Sequence, residues 1–98
     1  MSQDASRAVV ISNPQGLHLR PAHGVVTLAS GFQAAIQVSR EDGEVADGKS
    51  MLSLFTLGAA EGTQLVVRAI GEDADSAVQE LADFLEKLED LNIDEGAS

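Results

Sequence analysis

The sequence contains no cysteine, which rules out disulfide staples and thiolate metal ligands and is compatible with a reducing compartment. It lacks any apolar run approaching a bilayer span, and its polar start, MSQDASR, has none of the charged-then-apolar order of a signal peptide. A cytoplasmic protein is expected. Basic residues are scarce: six Lys and Arg face sixteen Asp and Glu, for a formal charge of −10. Such a balance repels phosphate backbones and anionic bilayers, so neither nucleic acid nor a membrane is expected as a partner. Much of the acid lies in EDADS and EKLEDLNIDEGAS, in the last third, which leaves the remaining surface nearer neutrality. No nucleophile elbow is present, and with thiols absent a serine or cysteine hydrolase is poorly supported.

What the chain does contain suffices for one modest core. Its 98 residues, 44% of them hydrophobic, suit a single domain, and no repeat or linker divides them. The folded body is expected over about residues 7–90, with 1–6 and 92–98 as flexible tails. RAVVIS, from Arg7 to Ser12, is β-branched and apolar and reads as a short buried strand, stopped by Asn13, Pro14 and Gly16. From Leu19 the period changes: Ala22, Val25, Val26 and Ala29 share one helix face, and Gly31 stands where a left-handed cap ends a helix. AAIQVSR alternates, EDG turns it, and EVAD returns, which predicts a hairpin. Ser50 is placed to cap a short helix carrying Met51, Leu52, Leu54, Phe55 and Leu57, closed by Gly58. TQLVVRAI is a further alternating strand. The most periodic segment carries Ala74, Ala77, Val78, Leu81, Leu85 and Leu88 in a stripe with acids opposite, and beyond Leu91 fraying is expected. The order β-α-β-β-α-β-α predicts an α+β two-layer open-faced sandwich: a four-stranded antiparallel sheet with three helices on one face.

The chemistry concentrates in PQGLHLRPAHG, residues 14–24. A helix beginning at Leu19 makes His18 its N-cap and leaves the Leu19 and Arg20 amides without an intrahelical carbonyl, able to cradle an anion. Pro21 in the first turn loses no hydrogen bond, and Gly16 permits close approach of the loop. The positive helix end disfavours imidazolium and so favours a nucleophilic imidazole. Arg20 is able to bond two phosphoryl oxygens at once. The arrangement suits a histidine that accepts and releases phosphate, although a plain capping histidine and an ion-paired arginine fit the same letters. His18 and His23 are five apart, unlike the i, i+4 pair of zinc helices, so no metal is expected.

Three separated stretches, GLHLRPA (16–22), GKSMLSLFTLGAAEGTQLVV (48–67) and GEDADSAVQELADFLE (71–86), resemble the histidine-containing phosphocarrier (HPr) family of the phosphoenolpyruvate-dependent phosphotransferase system. The resemblance implies a carrier without catalytic cycle or cofactor of its own. His18 would take a phosphoryl group on Nδ1 from phospho-enzyme I and pass it to an enzyme IIA, with Arg20 assisting. It implies regulation at Ser50 by an HPr kinase/phosphorylase, and a monomer that docks partners through Gly16, Leu17, Lys49, Met51 and Leu52. Met51 and Leu52 are expected exposed and Phe55 inside. His23 stands where the family often has a small residue and is read as a rim residue, and only Arg20 and Lys49 offer positive charge beside the proposed surface. The alternatives are a nitrogen-branch or catabolite-control relative, or a binding module that does not use His18.

Overall fold

The structure, a computed structural model, describes residues 3–88. The elements are β1 (Asp4–Val10), α1 (Leu19–Ser30), β2 (Ala35–Arg40), β3 (Val45–Asp47), α2 (Met51–Leu57), β4 (Gln64–Ile70) and α3 (Ala74–Glu86). The strands form one antiparallel sheet in the order β1-β4-β2-β3. The helices cover one of its faces, α3 against β1 and β4, α2 against β3, and α1 against both other helices. This is the expected α+β open-faced sandwich.

The central strands follow the simplest rule of the fold. Leu65, Val67 and Ala69 of β4, with Ile36 and Val38 of β2, point to the helices and are buried, while Gln64, Val66, Arg68 and Ile70 point away. The α3 stripe meets them: Ala74, Ala77, Val78, Leu81 and Leu85 are all buried, as is Leu88 just beyond the helix.

Strand β1 differs from the expectation in two ways. It begins at Asp4, inside the segment read as a flexible tail, because it pairs with β4 along its whole length, from Asp4 opposite Ile70 to Val10 opposite Gln64. It is also an edge strand, so only Val9 is buried, and inward-facing Arg7 sits at the rim, ion-paired to Asp83 and Glu86 of α3. Arg68 grips Asp4 with two hydrogen bonds of 3.1 and 2.6 Å on the open face. Asp4 is acidic and short, and its pairing is visible only once the sheet is assembled. The expected tail at 92–98 lies outside the described residues.

Two helix ends also differ from each other. Gly58 adopts the left-handed conformation, φ 62°, that closes α2 as expected. Gly31 does not: at φ −79° it is right-handed, its N–H donates to Leu28 O and the Phe32 N–H to Ala29 O, so a tightened last turn ends α1.

Asp73 fastens α3 to the start of β2. Its carboxylate accepts the N–H groups of Gln33 (2.8 Å) and Ala34 (2.9 Å). The Gln33 hydrogen bond chiefly, with that of Ala34, holds this carboxyl below its ordinary value of 3.8 against the opposing effect of desolvation. A lowered folded pKa means that the stabilisation is complete above the ordinary aspartate range and is lost as pH falls through the folded value. Asp73→Ala is therefore expected to lower the urea midpoint at neutral pH and to approach the parent in strong acid. An equal deficit at both pH values would remove the ionised carboxylate from the account.

Candidate functional site

The connection from β1 to α1 is pinned at two points. The Ile11 N–H donates to Thr63 O (3.0 Å) and its carbonyl accepts from Gly62 N (2.7 Å), while the Leu17 N–H donates to Ala59 O (2.8 Å). Between them the chain turns, Gly16 N bonding back to Asn13 O at 3.0 Å. Gly16 is left-handed, φ +68°, and so close to the 59–60 backbone that a Cβ would lie 2.4 Å from Ala59 O. Leu17 then drops into the core. Gly16 and Leu17, expected to face a partner, are instead buried supports that set the position of the next residue.

That residue is His18. With φ −87° and ψ −170° it is the extended N-cap of α1, and its carbonyl accepts the first helical bond, from Ala22 N at 3.0 Å. Pro21, buried in the first turn, has no N–H to leave unpaired, and no carboxylate occupies that turn to compete for the helix end. The imidazole caps nothing with its side chain and is half-buried. Its two nitrogens differ: Nε2 is enclosed without a hydrogen-bond partner, whereas Nδ1 is not so enclosed. Around it Gln15, Leu19, Arg20 and His23 line, with His18, an open depression of about 630 Å³. A half-buried imidazole, a helix start and a guanidinium on one shallow surface can receive and release a tetrahedral anion.

The family model described as "PTS HPr component phosphorylation site" matches residues 5–87. The chain belongs to the HPr family. It is 34% identical over 84 residues to the phosphocarrier protein HPr of Borreliella burgdorferi, covering 86% of this chain and 96% of that one. It is 39% identical over 69 residues to DhaM, the phosphoryl donor subunit of a PEP-dependent dihydroxyacetone kinase from Providencia stuartii, covering 70% of this chain and 14% of that one. The crystal structure of HPr from Bacillus anthracis superposes with a TM-score of 0.79 at 27% identity, covering 86% of this chain and 99% of that one. The chain is thus a phosphocarrier-family member of the phosphotransferase system, with the HPr fold.

The remaining residues expected of an HPr site do not all gather at His18. Ser50 caps α2, its Oγ accepting Ser53 N–H at 3.2 Å, and shares a second depression with Glu44 and Leu52. Lys49 turns away, its Nζ donating to Phe32 O at 2.8 Å, and lines a third depression at the β2–β3 edge. Leu52 is exposed as expected, at 76%. Met51 and Phe55 exchange the expected environments: Met51 is half-buried against the core and Phe55 is 52% exposed. In α2, Leu54 and Leu57 fill the buried side, which turns Phe55 outward. Gln15 and His23 join the His18 depression through the loop and one further helical turn. Asn13, whose sequence signal was only that of a strand stop, is fully buried.

No described helix is long and apolar enough to cross a membrane, and no metal-binding cluster occurs among the described residues. The cations are distributed, with Arg7, Arg40 and Arg68 each paired to carboxylates away from the His18 depression.

Proposed function

We propose that His18 is the residue that carries the phosphoryl group, on Nδ1, between phospho-enzyme I and an enzyme IIA-type acceptor. The observation that carries this reading is the asymmetry of the imidazole, with one nitrogen open beside the α1 N-terminus and the other enclosed. In the loading step the Nδ1 lone pair attacks the phosphorus of the donor's phosphohistidine. The new N–P bond forms as the donor's N–P bond breaks, and the bonding pair returns to the donor nitrogen. His18 keeps its proton on Nε2. Arg20 spreads its guanidinium over the phosphoryl oxygens, and the helix start adds oriented amides of Leu19 and Arg20. A deep pocket would hold the product too firmly for onward transfer, so an open depression fits a carrier better than an enzyme.

The docking face would be the apolar rim formed by Leu19, Leu52 and Phe55, all exposed large side chains on the helix layer. Arg20 and His23, beside His18, offer this rim complementarity to an acidic partner. The test is incubation with phosphoenolpyruvate and enzyme I. The expected product gains one phosphoryl group that is lost in acid and kept in base, with enzyme I-induced NMR shifts on this rim. An unmodified chain after full phosphorylation of enzyme I would sink the reading.

Ser50 is the proposed regulatory position. A phosphate on its hydroxyl would stand beside Glu44 and Leu52, putting a dianion at the edge of the docking rim and opposing acidic partners. Treatment with ATP and the HPr kinase of the source organism is expected to give phosphoserine at 50 and slower loading of His18. Recovery of only unmodified Ser50 removes this regulation.

A further inference from the structure

Buried side-chain polar atoms normally find partners. Among the described residues those without any are Ser12 Oγ, Asn13 Oδ1, Asn13 Nδ2 and His18 Nε2. All belong to the single connection between β1 and α1, and none of them lies in the described helices or sheet. Asn13 stands out, because the whole residue is at 0% exposure with both ends of its carboxamide unpaired. Its backbone offers no freedom to escape: Ile11 is bonded on both sides to the 62–63 loop and Asn13 O holds Gly16 N. An apolar residue would fill this place without a hydrogen-bonding deficit. A carboxamide there, in the same pinned connection as an enclosed imidazole nitrogen, calls for a chemical reason.

The reason is supplied by the change in His18 on loading, an argument that rests on the phosphocarrier reading. Before loading, the neutral ring carries its proton on Nε2 and is an ordinary donor. Once Nδ1 is bonded to phosphorus and Nε2 still bears its proton, the ring is cationic and Nε2–H becomes a charge-assisted donor. Nothing from solvent reaches it. An acceptor that pairs weakly or not at all with the resting ring and strongly with the charged one favours the loaded state and the path to it. The carboxamide can offer that acceptor through Oδ1, and by rotating can also present its NH₂. The Ser12 hydroxyl, on a half-exposed residue, is the lesser candidate.

We propose that Asn13 is a positioning residue for His18: in the loaded carrier its Oδ1 accepts the charged Nε2–H, steadying the ring while Nδ1 bears the phosphoryl group. Both side chains are enclosed and unpaired at these atoms in the resting structure, five positions apart on one connection, and the pairing forms with the charge on the ring. The role parallels that of groups that orient a histidine through its second nitrogen.

The test compares the full chain with Asn13→Leu, which keeps the γ-branched outline and removes the acceptor, and with Asn13→Asp, which keeps an oxygen in the same place. Loading by phosphoenolpyruvate and enzyme I is expected to slow about tenfold in Asn13→Leu, and to recover to within about threefold of the parent in Asn13→Asp. ¹⁵N spectra of the loaded imidazole are expected to show a slowly exchanging Nε2–H in the parent and a fast-exchanging one in Asn13→Leu. A merely structural role would lower stability and leave that exchange unchanged, and that outcome overturns the proposal. Should Asn13→Leu fail to fold, the parent protein decides. Its loaded form is expected to show a slowly exchanging Nε2–H with a cross-peak to the Asn13 side chain, and a fast-exchanging Nε2–H without one also overturns it. A parent chain that never loads defeats the phosphocarrier reading, whereas normal loading of Asn13→Leu defeats only the role of Asn13.

Discussion

Replacing His18 with alanine is expected to reduce phosphoryl loading from enzyme I to background while leaving the fold intact. The side chain makes no capping hydrogen bond, so the helix loses little with it. What does hold α1 in place survives the change: the His18 carbonyl bonded to Ala22, the Leu17 N–H on Ala59 O, and buried Pro21. The loss should therefore fall on chemistry and leave the denaturation midpoint within about 1 kcal/mol of the parent. His23 cannot compensate. It lines the same depression, but it lies inside α1, beyond the first turn, so it has neither the cap position nor the exposed helix amides in front of it. Mass spectrometry after loading reads the outcome directly. An acid-labile phosphoryl group on the His18→Ala chain would move the acceptor to another residue and end the assignment of this imidazole.

Gly16→Ala is expected to be the most damaging of the small substitutions, by about 2–5 kcal/mol, and to impair loading as well. Two independent costs add. At φ +68° any residue with a Cβ is strained by about 1–2 kcal/mol. The new Cβ would also stand 2.4 Å from Ala59 O and 2.9 Å from Ala60 Cα, and both are backbone atoms that cannot swing aside. Overpacking of this kind costs about 1–3 kcal/mol. Gly43→Ala provides the control, because Gly43 is also left-handed, φ +99°, yet has nothing within 4 Å of its virtual Cβ. It should show the conformational cost alone. Urea midpoints of the two variants separate the terms, and equal losses would mean that the Ala59–Ala60 contact relaxes freely. Because Gly16 and Leu17 lie against the 59–60 backbone and lead directly into His18, the Gly16→Ala chain is expected to load more slowly even where it is folded.

The parts of this molecule written in local periodicity were legible in its letters. The α3 stripe, the alternation of β2 and β4, the Ser50 cap and the left-handed Gly58 all depend on neighbours within a few residues. The boundaries that were not legible depend on distant ones. Asp4 is a strand residue because Ile70 and Arg68 lie beside it, and Gly31 is right-handed because the last turn of α1 tightens onto Leu28. Two turns of α2 carry too many apolar side chains to identify which side is covered, so Met51 and Phe55 exchanged places with their expected environments. At the site, His18, Leu19 and Arg20 came together as their spacing implied. The burial of Asn13 and Leu17 follows the loop's anchorage to residues 59–63, more than forty positions away, and Lys49 is drawn to the Phe32 carbonyl at the end of α1.

The enclosure of Nε2 has a regiochemical consequence. An imidazole can bear a phosphoryl group on either nitrogen, and the two isomers differ in their readiness to give it up. On the proposed reading, the enclosure of Nε2 is expected to keep material loaded at Nδ1 as one isomer while the chain is folded, with antibodies selective for the two phosphohistidines seeing a mixture only after denaturation.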